Sequence, residues 1–213
     1  MTALETTRRS LHGVAELVLA GPQYRESGTI RLKVVPGGFA TVRDPELRVN
    51  GAELVAGERE VPLNGATCRE LAAAAGLDAG GPEGLYADGS GVGLDEVLSV
   101  DAEAARYIAE AFGRGHEALM RFAPETTPVL WPEHFDVGIS LDEVNYGVAL
   151  GDAHVDEPYA YAGPWEPRQG PFWNVTFGAA RPLRLLTGPA ALHDFFIEAR
   201  EQAALPPTGR PSQ

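Results

Sequence analysis

The histidines and carboxylates between residues 131 and 157 are the side chains best equipped for chemistry. Two His-x-Asp pairs occur there, His134-Phe135-Asp136 and His154-Val155-Asp156, the second followed by Glu157. Residues two apart on a strand share a face, so each imidazole comes within reach of its carboxylate. His134, Asp136, His154 and Asp156 together form an N/O donor set suited to a divalent metal such as zinc, manganese or iron. The same groups suit a general base and its orienting acid, with His134, Asp136 and Glu143 as the catalytic candidates. A metal-assisted or acid–base hydrolase is one reading. The other is a solvated strand face, because antiparallel sheets commonly leave one face wet.

A hairpin must position these groups. Phe135, Val137 and Ile139 alternate with polar or small residues, and so do Val144, Tyr146 and Val148. A two-residue turn at Leu141-Asp142 pairs Ser140 with Glu143, Gly138 with Asn145, Asp136 with Gly147 and His134 with Ala149. The opposite face then pairs Ile139 with Val144, Val137 with Tyr146 and Phe135 with Val148. This register sorts the large apolar side chains of those pairs to one face, which is how register is set. Gly138, Gly147 and Ala149 lie among the polar residues and leave room above the sheet. A small-molecule pocket over 134–149 follows, with Asn145, Tyr159, Tyr161 and Trp173 as ligand-binding residues. Trp165 and Phe172 complete the aromatic set, for which core and loop anchoring is the alternative.

The remaining elements read from periodicity and turn residues. Leu11, Val14, Ala15 and Val18 predict a helix over Ser10–Ala20 that Gly21-Pro22 ends. Ile30, Leu32 and Val34 begin a meander of about four strands through Leu63, with Pro36-Gly37-Gly38 and Asn50-Gly51 as turns. Thr67 and Glu70 form a capping box ahead of a helix through Gly76. The Gly-rich acidic stretch 78–94 predicts a loop and the best lobe boundary. Within it, Asp88-Gly89-Ser90-Gly91-Val92-Gly93 lacks the ligands of a calcium loop and reads as a turn. Asp101 to about Ala123 is the longest helix, with Ile108, Phe112, Gly115, Leu119 and Phe122 as one stripe. Short strands are expected near Tyr159–Tyr161 and Trp173–Phe177. Gly188-Pro189 begins a last helix whose core side is Leu192, Phe195, Phe196 and Ala199. The fold class is α+β, mainly antiparallel sheet in two strand-rich regions with about four helices. Residues 1–205 form one domain or two lobes (about 1–90 and 91–205), followed by a disordered tail at 206–213.

Composition narrows the partners. The chain has 213 residues and a net charge of −13. Residues 70–157 alone hold eighteen acidic and three basic side chains. That balance excludes a basic nucleic-acid footprint and disfavours anionic membrane surfaces. It permits a protein-interaction module using the acidic middle, as a third reading. The single cysteine, Cys68, excludes an internal disulfide framework. Its place in a predicted first helical turn can lower a thiol pKa, with a small buried helix residue as the alternative. The polar N-terminus has no apolar signal core, so a cytoplasmic location is expected. No phosphate-binding or dinucleotide-binding glycine loop, paired-His zinc motif or serine elbow occurs.

Leu130 to Asp136, Tyr146 to Asp152, Pro158-Tyr159-Ala160-Tyr161, Leu11 to Glu16 and Gly28 to Leu32 resemble segments of an uncharacterised family of actinobacterial proteins. The resemblance runs over most of the chain and implies no activity or catalytic residues.

Overall fold

In the computed structural model, which describes residues 2–86, 89–152, 154–188 and 190–205, the fold is α+β. Among the described residues there are ten strands in antiparallel pairing. The chain divides into two units, residues 1–113 with 129–136, and residues 114–128 with 137–213. The division therefore falls inside a helix and at the start of a strand, not near residue 90 as expected. Asp88, Pro189 and the tail 206–213, expected as a turn, a helix start and a disordered end, lie outside the described residues.

In the first unit, Thr2 and Glu5 form a capping box that opens α1 (Ala3–Val14). The helix passes through a π-helical segment, Ala15–Ala20, and continues as α2 (Gly21–Ser27). Every residue of the π segment is buried. The rod thus starts earlier than its apolar stripe implies and does not stop at Gly21-Pro22. Proline has no N–H, and here it sits in the first turn after the π segment. The Gly21 N–H reaches Glu16 O, and Leu17 O accepts the N–H of Gly80 at 2.9 Å. The carbonyl that Pro22 leaves vacant is thereby satisfied from another segment.

Five strands follow as a meander: β1 (Leu32–Val35), β2 (Gly38–Thr41), β3 (Leu47–Asn50), β4 (Glu53–Ala56) and β5 (Arg59–Pro62). With β6 (Val129–Trp131) their order is β6-β1-β2-β3-β4-β5. The Asn50 turn is offset by one residue from expectation: Asn50 pairs with Glu53, so Gly51-Ala52 form the loop. The Thr67–Glu70 capping box is present and opens α3 (Cys68–Ala74).

The stretch expected as a lobe boundary, 78–94, falls inside the first unit. Residues 89–101 run along the first helix and are held at successive turns. Arg9 pairs with Glu96 and donates to Gly91 O at 2.8 Å. Ser10 Oγ accepts from Ser99 N at 3.1 Å, and Thr7 Oγ1 accepts from Asp101 N at 2.9 Å. Cys68 lies buried beneath this layer, and burial pushes its thiol up to about 12. Desolvation outweighs any helix-terminus effect, so the thiol stays protonated and unreactive.

Helix α4 (Ala102–Phe122) supplies Ile108 and Phe112 to the first unit and Gly115, Leu119 and Phe122 to the second, all buried. In the second unit, β7 (Asp136–Leu141), β8 (Val144–Ala149), β9 (Tyr159–Pro164) and β10 (Ala179–Pro182) stand in the order β10-β9-β8-β7. A Cβ on Gly115 would lie 2.9 Å from the methyls of Val137 and Val148. The glycine that weakens the helix locally is where it meets the sheet most closely. Helix α5 (Ala191–Ala204) buries Leu192, Phe195, Phe196 and Ala199, as its periodicity predicts. Phe122, Tyr146 and Phe196 form one aromatic group, with ring centroids 4.8–6.1 Å apart. The strand expected at Trp173–Phe177 is absent from the described residues. An isolated bridge joins Val175 to Gly178, and the strand forms after it as β10.

Candidate functional site

The β7–β8 turn is at Asp142-Glu143, both with positive φ (52° and 61°), one residue later than expected. A two-residue hairpin loop favours this doubly left-handed turn. Aspartate tolerates that conformation and leucine does not, which displaces Leu141 from the turn into the strand. The offset moves each pairing partner by two residues, placing Ser140 opposite Asn145 and Gly138 opposite Gly147. A slip of two leaves every side chain on its face, so Val137, Ile139, Val144, Tyr146 and Val148 stay together and buried.

Side chains pack over Gly147 and Asn145 on the opposite face. Tyr161 pairs with Gly147, and its hydroxyl would lie 2.5 Å from a Cβ there. Asn145 Oδ1 accepts from Ser140 Oγ at 2.7 Å and from the indole N–H of exposed Trp165 at 3.2 Å. Tyr159 is buried against Tyr161 and Phe177. Trp173 packs on Phe172, which stacks on Phe195 beneath the guanidinium of Arg181. The aromatics fall into two clusters, Tyr159 with Tyr161 and Phe177, and Trp173 with Phe172 and Phe195.

The His-x-Asp pairs also part. His134 precedes β7, exposed in a turn, while Asp136 is buried. His154 and Asp156 are exposed in the loop before β9. The organiser of that loop is Asp152, which the two-residue spacing does not reveal. Its Oδ1 accepts from the N–H groups of His154 (2.7 Å) and Val155 (3.0 Å), and its Oδ2 accepts from the Tyr159 hydroxyl. Partial burial works to raise the Asp152 carboxyl, but these hydrogen bonds together hold it below its ordinary value. Among the described residues no three His, Cys, Asp or Glu side chains are grouped to hold a metal ion. The metal set His134, Asp136, His154 and Asp156 is corrected accordingly, since no shared cage forms.

A cavity of about 300 Å³ opens at the turn end of the same hairpin. Asp142, Glu143, Tyr146, Glu166, Arg168 and Arg200 supply its polar groups. Glu143 is the one expected site residue on its wall. Asp142 Oδ2 accepts from Arg200 at 2.7 and 2.9 Å, which ties the turn to α5. Arg168 donates to Leu205 O at 3.0 Å, while its Nε is buried without a partner. Tyr146 has 0% exposure, and its hydroxyl likewise lacks a partner. Burial, with Asp142 acting in the same direction and Arg200 against it, pushes that hydroxyl up to about 12. It stays protonated at physiological pH, a hydrogen-bond donor.

A second polar group lies inside the first unit. His12 Nε2 donates to Pro132 O at 2.7 Å, and its ring stacks on Phe135 at 5.3 Å, 6° from parallel. Phe135 has φ 51° and takes no part in a strand. Glu16, one turn beyond His12 and 9% exposed, accepts from Ser90 N (2.8 Å) and Ser90 Oγ (2.6 Å). The Tyr86 hydroxyl is buried beside Glu16 and Glu133. Burial holds His12 below 6.5, although Pro132 O and the charge of Glu16 oppose this. A histidine lowered in the folded state protonates more readily when unfolded. Its neutral form therefore stabilises the fold fully above about pH 6.5, and that contribution fades as pH falls toward the lowered value. Unfolding free energy should lose up to about 1.4 kcal/mol per pH unit from this group over that window. Urea titrations from pH 7.5 to 4.5 should show the slope, and His12→Phe should flatten it; an unchanged slope in the variant would refute the assignment.

No family model, curated protein or solved structure matches the chain.

Proposed function

We propose that the chain binds a small molecule in the cavity at the turn end of the β7–β8 hairpin. The observation that supports this reading is Tyr146, which lines a cavity whose volume suits a small ligand and whose buried hydroxyl has no partner among the described residues. An unpaired buried hydroxyl costs about 1–3 kcal/mol, and phenylalanine would fill the aromatic group with Phe122 and Phe196 without that cost. A ligand that accepts from the hydroxyl removes the penalty on binding.

The variant Tyr146→Phe tests this directly. Ligand-free stability should be unchanged or rise by about 1 kcal/mol, while binding should weaken by about tenfold or more. Ligand-observed NMR against a soluble fragment set finds the binders, and chemical denaturation measures stability. A fragment set that binds wild type and Tyr146→Phe equally, or no fragment binding at all, would overturn the proposal.

A further inference from the structure

We infer that the ligand of this cavity is a small zwitterion, with a carboxylate and an ammonium group and the size of a free amino acid; this rests on the binding reading above. Two residues of the wall, Tyr146 and Arg168, carry buried groups without a partner, the hydroxyl Oη and the guanidinium Nε. Nε can only donate and the hydroxyl can donate as well as accept, so one acceptor serves both, and a carboxylate does so best because a charge-assisted bond to guanidinium is roughly twice as strong as a neutral one. Arg168 is already oriented for this by its bond to Leu205 O. Arg200 is not the anion's partner, because its Nε and Nη2 are both turned to Asp142.

The other polar groups on the cavity wall are acidic. Glu143 and Glu166 are exposed there, and neither side chain has an ion-pair or hydrogen-bond partner among the described residues. With Asp142 they set three carboxylates against two guanidinium groups. That balance repels a phosphate dianion or a dicarboxylate and attracts a cation. Buried donors and exposed carboxylates together complement a molecule whose carboxylate points inward and whose ammonium points toward solvent. A volume of about 300 Å³ is at the small end of ligand pockets.

Calorimetric titration of the full chain at low salt, with L-alanine, L-leucine, propionate, n-propylamine and inorganic phosphate, tests the class. At least one amino acid should bind, and propionate, the amine and phosphate should each bind at least tenfold more weakly. Arg168→Gln should abolish amino-acid binding. Glu143→Gln with Glu166→Gln, both at exposed side chains, should weaken amino acids and leave propionate binding as it was or tighter. If propionate or phosphate binds as tightly as the amino acids in a Tyr146-dependent way, the zwitterion is wrong while the cavity remains a binding site. If neither these probes nor the fragment set bind, both readings fall.

Discussion

Gln23→Leu is expected to lower the unfolding free energy by about 4 kcal/mol. Gln23 is fully buried, and its amide uses its whole hydrogen-bonding capacity on backbone. Nε2 donates to Thr29 O and Arg31 O, each at 2.9 Å. Oε1 accepts from Val42 N at 2.7 Å and Arg43 N at 2.8 Å. One side chain on α2 therefore satisfies the chain before β1 and the chain after β2, where the two strands stop pairing. Leucine matches the size and helix propensity of glutamine, so the change removes little besides the four bonds. It strands two carbonyls and two amides, at about 1 kcal/mol or more each. Set against a typical total of 5–15 kcal/mol, that is a large share. Urea unfolding of the variant provides the measurement; a loss under 1 kcal/mol would mean that water replaces the amide and that Gln23 is not the clamp it looks to be.

Local periodicity carried much of the architecture. The stripe from Ile108 to Phe122 and the core side of α5 are buried as their spacing requires, and the Thr67–Glu70 box caps α3. The hairpin faces were legible even though the turn was misplaced, because a two-residue slip preserves alternation. What was illegible is the docking of 89–101 on the first helix. Its bonds join Thr7 to Asp101, Ser10 to Ser99 and Glu16 to Ser90. These are ordinary polar residues far apart in the chain, and no short-range pattern marks them as partners.

The candidate site was half legible for a related reason. Chemistry-bearing residues on the hairpin drew attention to its polar face, which Tyr161 and Trp165 cover. The cavity instead uses the turn and Tyr146, a residue that alternation assigns to the core. That assignment is correct for the ring and incomplete for the hydroxyl. Arg168 and Arg200 come from a loop and from α5, so only the folded chain brings them to Tyr146. The available signal was Tyr146 itself, a tyrosine among valines and an isoleucine, whose hydroxyl requires a partner or a cavity when buried.

Gly21→Ala is expected to cost about 3 kcal/mol or more, although alanine favours the helix by about 1 kcal/mol. A Cβ at this position would lie 1.6 Å from Gly80 O, a backbone atom. Relief requires the 78–81 segment to retreat. Retreat in turn breaks the Gly80 N–Leu17 O bond and the hold of Arg25 on Gly80 O and Asp78 O. Leu17 O then has no donor, because Pro22 lacks an N–H to offer it. Glycine and proline at 21 and 22 thus have a joint role that a helix-stop reading inverts. Proline leaves a carbonyl open, and glycine admits the backbone that fills it. Pro22→Ala should accordingly be mild, since its new N–H competes for a carbonyl already bonded, while Gly21→Ala is severe. Denaturation of both variants, with hydrogen exchange at the Gly80 amide, separates the cases: protection should be lost in Gly21→Ala and largely kept in Pro22→Ala. The reverse order of stability would show that Gly21-Pro22 acts through helix propensity and not through the docked segment.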